Sequence, residues 1–412
     1  MRKGSRARQA AGWLMSALVL ALYFSPQAVL LRTLPPTLSI AKGQPAALDA
    51  PYPLTLHVAD ASASTAETLG EKSTATISLF GLLPLREVEI DVADDLRLYP
   101  GGQAVGVALH TRGVLVVGTS DLAGTNSPAR MAGVKPGDVI TEADGKPVTS
   151  SDELTALVEA SGDAPLPLTL MRGESTLHVT LTPQRDGQSG RMRIGAWVRD
   201  STAGVGTLSF YGEVEPGKGQ RYGALGHAIT DADTRQVLTV GAGEIMLADV
   251  VDVRRGQSGY PGELKGSFLK EDRVMGTISR NNVFGIYGEM TQPPAHPLYP
   301  DGLPIGRKDA VHPGPATILC TVGAEGMREY DVEIVDVNRQ SAPAQRSMVL
   351  RVTDEELLGI TGGIVQGMSG SPIIQDGRLI GAVTHVFVND PTMGYGLYVE
   401  WMLGECGTEV GK

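Results

Sequence analysis

The segment Gly367-Met368-Ser369-Gly370-Ser371-Pro372 sets a serine hydroxyl in a glycine-rich turn. An apolar strand, an Asp376-Gly377 hairpin signal and a second strand running to Val386 follow it. A serine hydroxyl is a poor nucleophile until a base removes its proton. Attack on a carbonyl creates an oxyanion, which needs fixed donors, and a glycine-rich loop turns tightly enough to aim two backbone N–H groups at one point. The chemistry would be acyl transfer. The base should be a histidine, and the last 220 or so residues offer His227, His296, His312 and His385. His296 and His312 each precede a proline in loops, His385 lies on the strand after the serine, and His227 occupies the small-residue turn Gly223-Ala224-Leu225-Gly226-His227-Ala228. A third group should orient the imidazole; Asp231, Asp233 and Asp354 are the candidates.

Short strands and tight turns must position these groups. The 412 residues include 52 Gly and 26 Pro, with 42% hydrophobic but only 5% aromatic residues. That mixture predicts a mainly β chain of two or three domains. A net charge of −11 gives no basic face for nucleic acid. Cys320 and Cys406 stand far apart with no Cys/His cluster, so no metal site and no cofactor are expected, and both read as unpaired thiols. At the start, Arg2, Lys3, Arg6 and Arg8 precede an apolar run from Ala10 to Phe24. Residues 1–32 are therefore expected to be a signal-anchor that exports the rest and tethers it to the membrane. Residues 33–95 read as a stalk or linker, with strands near 76–80 and 88–92 and a loop over 61–76.

From 96 to 186 the pattern sharpens. The strand-like runs 104–109 and 113–118 lead into Ser127-Pro128-Ala129-Arg130-Met131-Ala132-Gly133-Val134-Lys135-Pro136-Gly137-Asp138-Val139-Ile140. Asp144-Gly145 predicts a tight turn, and Ser150 with Glu153 predicts a capping box opening a helix that buries Leu154, Leu157 and Val158. This stretch resembles a bacterial PDZ domain. The resemblance implies that a peptide or C-terminal segment adds as a strand beside the helix from Ser151, its carboxylate held by the backbone around Ala104, Val105, Gly106 and Val107.

The serine loop and its two strands, with Gly394-Tyr395-Gly396-Leu397-Tyr398-Val399 further on, resemble trypsin-like proteases. That implies a double β-barrel peptidase domain over 190–412, with Ser369 as nucleophile and Ser371 as a packing residue. It also implies an oxyanion hole from the amides of Gly367 and Ser369, a substrate cleft along Thr384, His385 and Val386, and His227, which precedes the small Ala228, as base. A closer resemblance covers most of the chain. A PDZ stretch followed by Gly226-His227-Ala228-Ile229-Thr230-Asp231, then residues 362–374 and 381–392, looks like the stage IV sporulation B peptidases of endospore-forming bacteria. It implies the catalytic set His227, Asp354 and Ser369. It also implies a protease secreted between the two forespore membranes, which cleaves itself. It then cuts a membrane-bound regulator of an intramembrane metalloprotease, releasing sigma-factor processing in the mother cell. The rivals are an exported quality-control protease, which usually carries its PDZ domain after the protease, and a PDZ adaptor whose protease fold has decayed.

Overall fold

The computed structural model describes residues 96–268 and 273–406 and, before them, residue 16 and the stretches 37–41, 54–58, 72–80 and 82–93. The expected signal-anchor lies outside these residues, position 16 apart. Among the described residues no helix is long and apolar enough to cross a membrane. The chain divides into two compact units, 1–96 and 97–412. In the first, strands Thr37–Ala41, Leu83–Ala93, Lys72–Leu79 and Leu54–Val58 form one sheet in that order, the first pair parallel and the others antiparallel. The strands expected near 76–80 and 88–92 are in it, but residues 72–76, read as loop, are strand as well.

In the second unit, a closed barrel is made by Gly314–Thr321, Met327–Val337, Met348–Val352, Asp390–Tyr398, Arg378–Phe387 and Pro372–Gln375. Alternating residues fill it. Ile318, Leu350, Ile373 and Val383 are wholly buried, each such burial contributing about 1.5–3 kcal/mol. Asp376 and Gly377, both left-handed (φ 51° and 70°), make the expected hairpin turn. An N-terminal barrel is built from Arg97–Pro100, stretches of Ala104–Thr119 and Ala196–Gly212, Arg221–Ala224, Gly285–Glu289, Val274–Thr277 and Val240–Leu247, the bridge Gly276↔Met290 closing it.

The peptidase domain expected from residue 190 shares strands with the stretch 96–186 read as the PDZ domain. Strands Ala104–Thr119 and Ala196–Gly212 pair antiparallel from Ala104↔Thr207 to Thr119↔Ala196. One end of this ribbon places Val105, Val107, Leu208 and Tyr211 in the barrel core. The other places Val114, Val116, Ile194 and Ala196 in or against the PDZ core, with Leu154, Val158, Leu166, Leu168 and Leu170. The ribbon turns at Gly113 (φ 98°), where a Cβ would lie 2.7 Å from the carbonyl oxygen of Ile140. The PDZ domain is thus an insertion between two strands of the peptidase barrel, which begins near residue 97.

Within the insertion Ser150 caps helix Ser151–Ser161, accepting from Glu153 N. The Glu153 carboxylate reaches back to the N–H and hydroxyl of Thr149 and, more weakly, to the N–H of Ser150, the reciprocal half of the capping box. Asp138 is buried on a two-pronged bond to Arg172 and accepts from Lys135 N, so this carboxylate of the PDZ signature is structural.

The assignment of Ala104, Val105, Gly106 and Val107 to peptide capture is corrected by the pairing. Both edges of this segment are taken, by Gly204, Val205, Gly206 and Thr207 on one side and by Ile245, Met246 and Leu247 on the other. No edge is left for an added strand. The position facing helix Ser151–Ser161 is filled instead by residues 192–198, and a cavity of about 340 Å³ lies between them, lined by Asp152, Thr155, Val158, Arg193 and Trp197. A Cβ at Gly106 would sit 2.0 Å from Phe268 Cγ. Gly106→Val is therefore expected to unfold the barrel, or lower its melting midpoint by many degrees, rather than weaken peptide binding alone; comparing calorimetry with peptidase activity checks this.

Candidate active site

Ser369 stands where both barrels meet. Helix Glu355–Thr361 closes on left-handed Gly362 (φ 76°), and the chain then turns through Gly367 (φ 97°) and Gly370 (φ 100°). A Cβ on Gly370 would lie 2.0 Å from the carbonyl oxygen of Thr207 and 2.6 Å from Leu225 N, so only glycine fits. The buried Thr207, from the N-terminal barrel, donates its N–H to Ser369 O (3.0 Å) and its hydroxyl to Gly367 O (2.7 Å). From the C-terminal barrel, Val383 O accepts from Gly370 N at 2.7 Å. The N–H groups of Gly367 and Ser369 take no protein acceptor among the described residues, as an oxyanion hole requires. Ser371 is fully buried, its hydroxyl donating to Met368 O at 2.7 Å, which is the packing role expected of it.

His227 follows the turn Leu225 (φ 70°) and Gly226 (φ 67°) at the end of strand Arg221–Ala224. A left-handed leucine is strained by about 1–3 kcal/mol. It is held because Leu225 fills the space left by Gly206, where a Cβ would meet Leu225 Cδ2 at 1.9 Å. The turn rests on Thr384, whose Cγ2 lies 2.9 Å from where a Cβ on Gly226 would be. His227 Nδ1 donates to Ala228 O (2.9 Å), which leaves Nε2 as the unprotonated nitrogen of the neutral ring. Burial pushes the imidazole below its ordinary value, the bond to Ala228 working the other way.

The cleft strand is shaped by a bulge. Between Val383↔Gly396 and Val386↔Gly394, Thr384 and His385 oppose the single Tyr395. Thr384 O accepts the Ser369 hydroxyl at 2.7 Å, and the His385 ring lies 5.2 Å from that of His227. Burial, together with the charge His227 and Arg346 can carry, pushes His385 down too. The nucleophile, its imidazole and the cleft strand are therefore brought together around Thr384. The other histidines have other partners: His296 Nδ1 accepts from Tyr299 N, and His312 pairs with Asp376 on the surface.

Asp354 is placed differently from the orienting role. It is the N-cap of helix Glu355–Thr361: one carboxylate oxygen accepts from Leu357 N (2.8 Å) and the other from Asp331 N (3.4 Å), while His227 Nδ1 is taken by Ala228. Asp231 and Asp233 are bound to Arg199. Asp354→Asn keeps a competent cap and is expected to leave peptidase activity within about tenfold, whereas Asp354→Ala lowers stability by about 1 kcal/mol. A loss near 10⁴-fold in the Asn variant would instead place its charge on the imidazole in the working enzyme.

Two positions escaped the sequence reading. Thr207 has no motif, although its setting Gly204-Val205-Gly206-Thr207 marks a close backbone approach. Asn281 braces the His227 loop through Ile229 N, Ile229 O and Leu238 O, at 2.8–2.9 Å. Cys320 and Cys406 are free and buried, and burial pushes both thiols up, Cys406 to about 12.

A serine on a loop pinned between two barrels, with open amides and, across Thr384, the turn that carries a neutral imidazole, defines the class: a serine peptidase, here with an inserted PDZ domain. The family model of SpoIVB peptidase S55 matches residues 190–403, and that of the PDZ domain matches residues 121–172. The chain belongs to the SpoIVB peptidase S55 family. It is similar to a putative zinc metalloprotease of Treponema pallidum, 33% identical over 99 residues (23% of this chain, 21% of that one). It is also similar to the metalloprotease MmpA of Caulobacter vibrioides, 37% identical over 78 residues (18% and 19%). The chain thus spans about a fifth of the length of the curated relatives it matches. Among solved structures, similarity is found to the active form of the Rv3671c protease from M. tuberculosis (16% identity, 51% of this chain and 78% of that one, TM-score 0.28). The PDZ domain of an SdrC-like protein from Listeria monocytogenes is also similar (23% identity, 21% and 87%, TM-score 0.19).

Proposed function

We propose that this chain is an exported, self-cleaving serine endopeptidase of sporulation. It would act between the two forespore membranes on a membrane-bound regulator of an intramembrane metalloprotease. The observation that carries the catalytic reading is the loop of Gly367 to Gly370, whose two unclaimed N–H groups flank a serine set across Thr384 from neutral His227. Ser369 attacks the scissile carbonyl, and His227 Nε2 takes its proton. The amides of Gly367 and Ser369 hold the oxyanion. His227 then protonates the leaving amine, and water hydrolyses the acyl-enzyme by the same route. The family match, which bears the name of a sporulation peptidase, supports the signalling role. The groove between helix Ser151–Ser161 and residues 192–198 is the place for an extended peptide segment, including one from another copy of the chain.

One observation favours a second reading, a PDZ adaptor without catalysis: the Ser369 hydroxyl donates to Thr384 O, not to His227. Catalytic hydrogen bonds often tighten only with substrate bound, so incubation separates the two. Fragments that accumulate from the wild type over hours, but not from Ser369→Ala, support the peptidase. An intact wild-type chain that also ignores a fluorophosphonate supports the adaptor.

A further inference from the structure

The loop beyond His227 is anchored outside the active site. At its neck, Leu238 N donates to Ile229 O, and the Asn281 amide bonds both residues. Past the neck lies Asp231, its side chain wholly inaccessible. One of its oxygens accepts from Asp233 N, Thr234 N and the Thr234 hydroxyl, at 2.8–3.1 Å. The other takes a guanidinium nitrogen of Arg199, whose second nitrogen reaches Asp233 at 2.9 Å. Arg199 belongs to the long strand that leaves the PDZ insertion, one residue after Val198 of the groove wall. The pairing register shifts between Arg199 and Ser201, a bulge that turns adjacent side chains to different tasks. Asp200 accepts from the N–H (2.7 Å) and hydroxyl (2.9 Å) of Ser151, the first residue of the groove helix. Both walls of the groove therefore converge on residues 199–200. The same loop is also held by Arg112 N on Thr239 O (3.1 Å), and Leu238 packs with Leu109 and Leu115 of the other ribbon strand.

We propose that Arg199 is a positioning residue for the catalytic base: it is a charged strut that carries the geometry of the PDZ groove walls into the loop of His227. The inference rests on the reading of His227 as that base. A carboxylate without solvent access needs its countercharge, and removing the partner leaves a buried charge uncompensated. The planar fork of arginine spans two carboxylates where a lysine ammonium serves one at a time. A segment lying along residues 192–198 presses on the strand one residue from this strut. The PDZ insertion thereby sets how squarely the imidazole meets Ser369.

The test uses the full chain and the rate at which a fluorophosphonate labels Ser369, measured well below the melting midpoint of each variant. Arg199→Met is expected to slow labelling roughly a hundredfold, the scale of a misplaced catalytic group. Arg199→Lys is expected to recover about tenfold of that, since one of the two contacts can persist. Asp231→Asn is expected to slow labelling comparably, and Arg199→Met added to Asp231→Asn to cost less than about threefold more, because one strut is lost only once. Wild-type labelling by folded Arg199→Met, or by Arg199→Lys should the Met variant not fold, overturns the proposal. So does multiplication of the Arg199 and Asp231 effects in the double variant. His227→Ala labelled at the wild-type rate instead overturns the reading of the base and leaves the strut without its object.

Discussion

Ser369→Ala abolishes peptide-bond cleavage, by a factor on the order of 10⁵–10⁶, while the chain keeps its fold. The hydroxyl makes one hydrogen bond, to Thr384 O, at a partly accessible position. Its removal costs about 0.5–1.5 kcal/mol, a shift of a few degrees in a chain of this size. The loop does not depend on it: Thr207 and Val383 hold the backbone on either side. Ser371→Ala is the contrast. Its hydroxyl is buried inside the loop, and Met368 O still accepts Ser371 N when it is gone. That variant is expected to lose about 1 kcal/mol of stability and retain activity within about tenfold. Assaying both on one peptide substrate, with melting curves alongside, separates nucleophile from packing residue. Equal loss in the two variants contradicts the assignment.

His227→Ala is expected to be as inactive as Ser369→Ala, because the two act as a unit. The imidazole works only when neutral. Burial holds its pKa below the ordinary value of 6.5, so the acid limb of activity lies below that pH and the rate falls as pH falls through it. His385 is also pushed down and lies 5.2 Å away. A limb that persists in His385→Gln belongs to His227, whereas a limb that vanishes there assigns the titration to His385. A limb above the ordinary imidazole range contradicts the burial argument.

Local signals were legible in the sequence because each has a local cause. Asp144-Gly145 and Asp376-Gly377 announced their turns through backbone angles few other pairs adopt, and all four residues are left-handed. Ser150 announced its helix cap, and the Gly-x-Ser-Gly run announced a loop that side chains would obstruct. Long-range pairing was not legible. Val105 and Val107 alternate just as Val114 and Val116 do, yet the first pair feeds the barrel and the second the PDZ core. Alternation records that one face is buried, not which core receives it. The partner that decides this, residues 196–207, lies about a hundred positions downstream. The groove wall at 192–198, in two strand pieces broken at Gly195, sits outside the PDZ signature for the same reason. Asp354 is the opposite case. Asp354-Glu355-Glu356-Leu357-Leu358 carries an N-cap and an acidic first turn in plain sight, a signal as local as that of Ser150.

His227 activates Ser369 on a loop that both barrels hold. The most direct test is to label the full chain with a fluorophosphonate and locate the adduct by peptide mapping. One adduct, on Ser369, is expected from the wild type and none from His227→Ala. An adduct on Ser371 or another serine, or labelling of Ser369 that does not need His227, contradicts that activation.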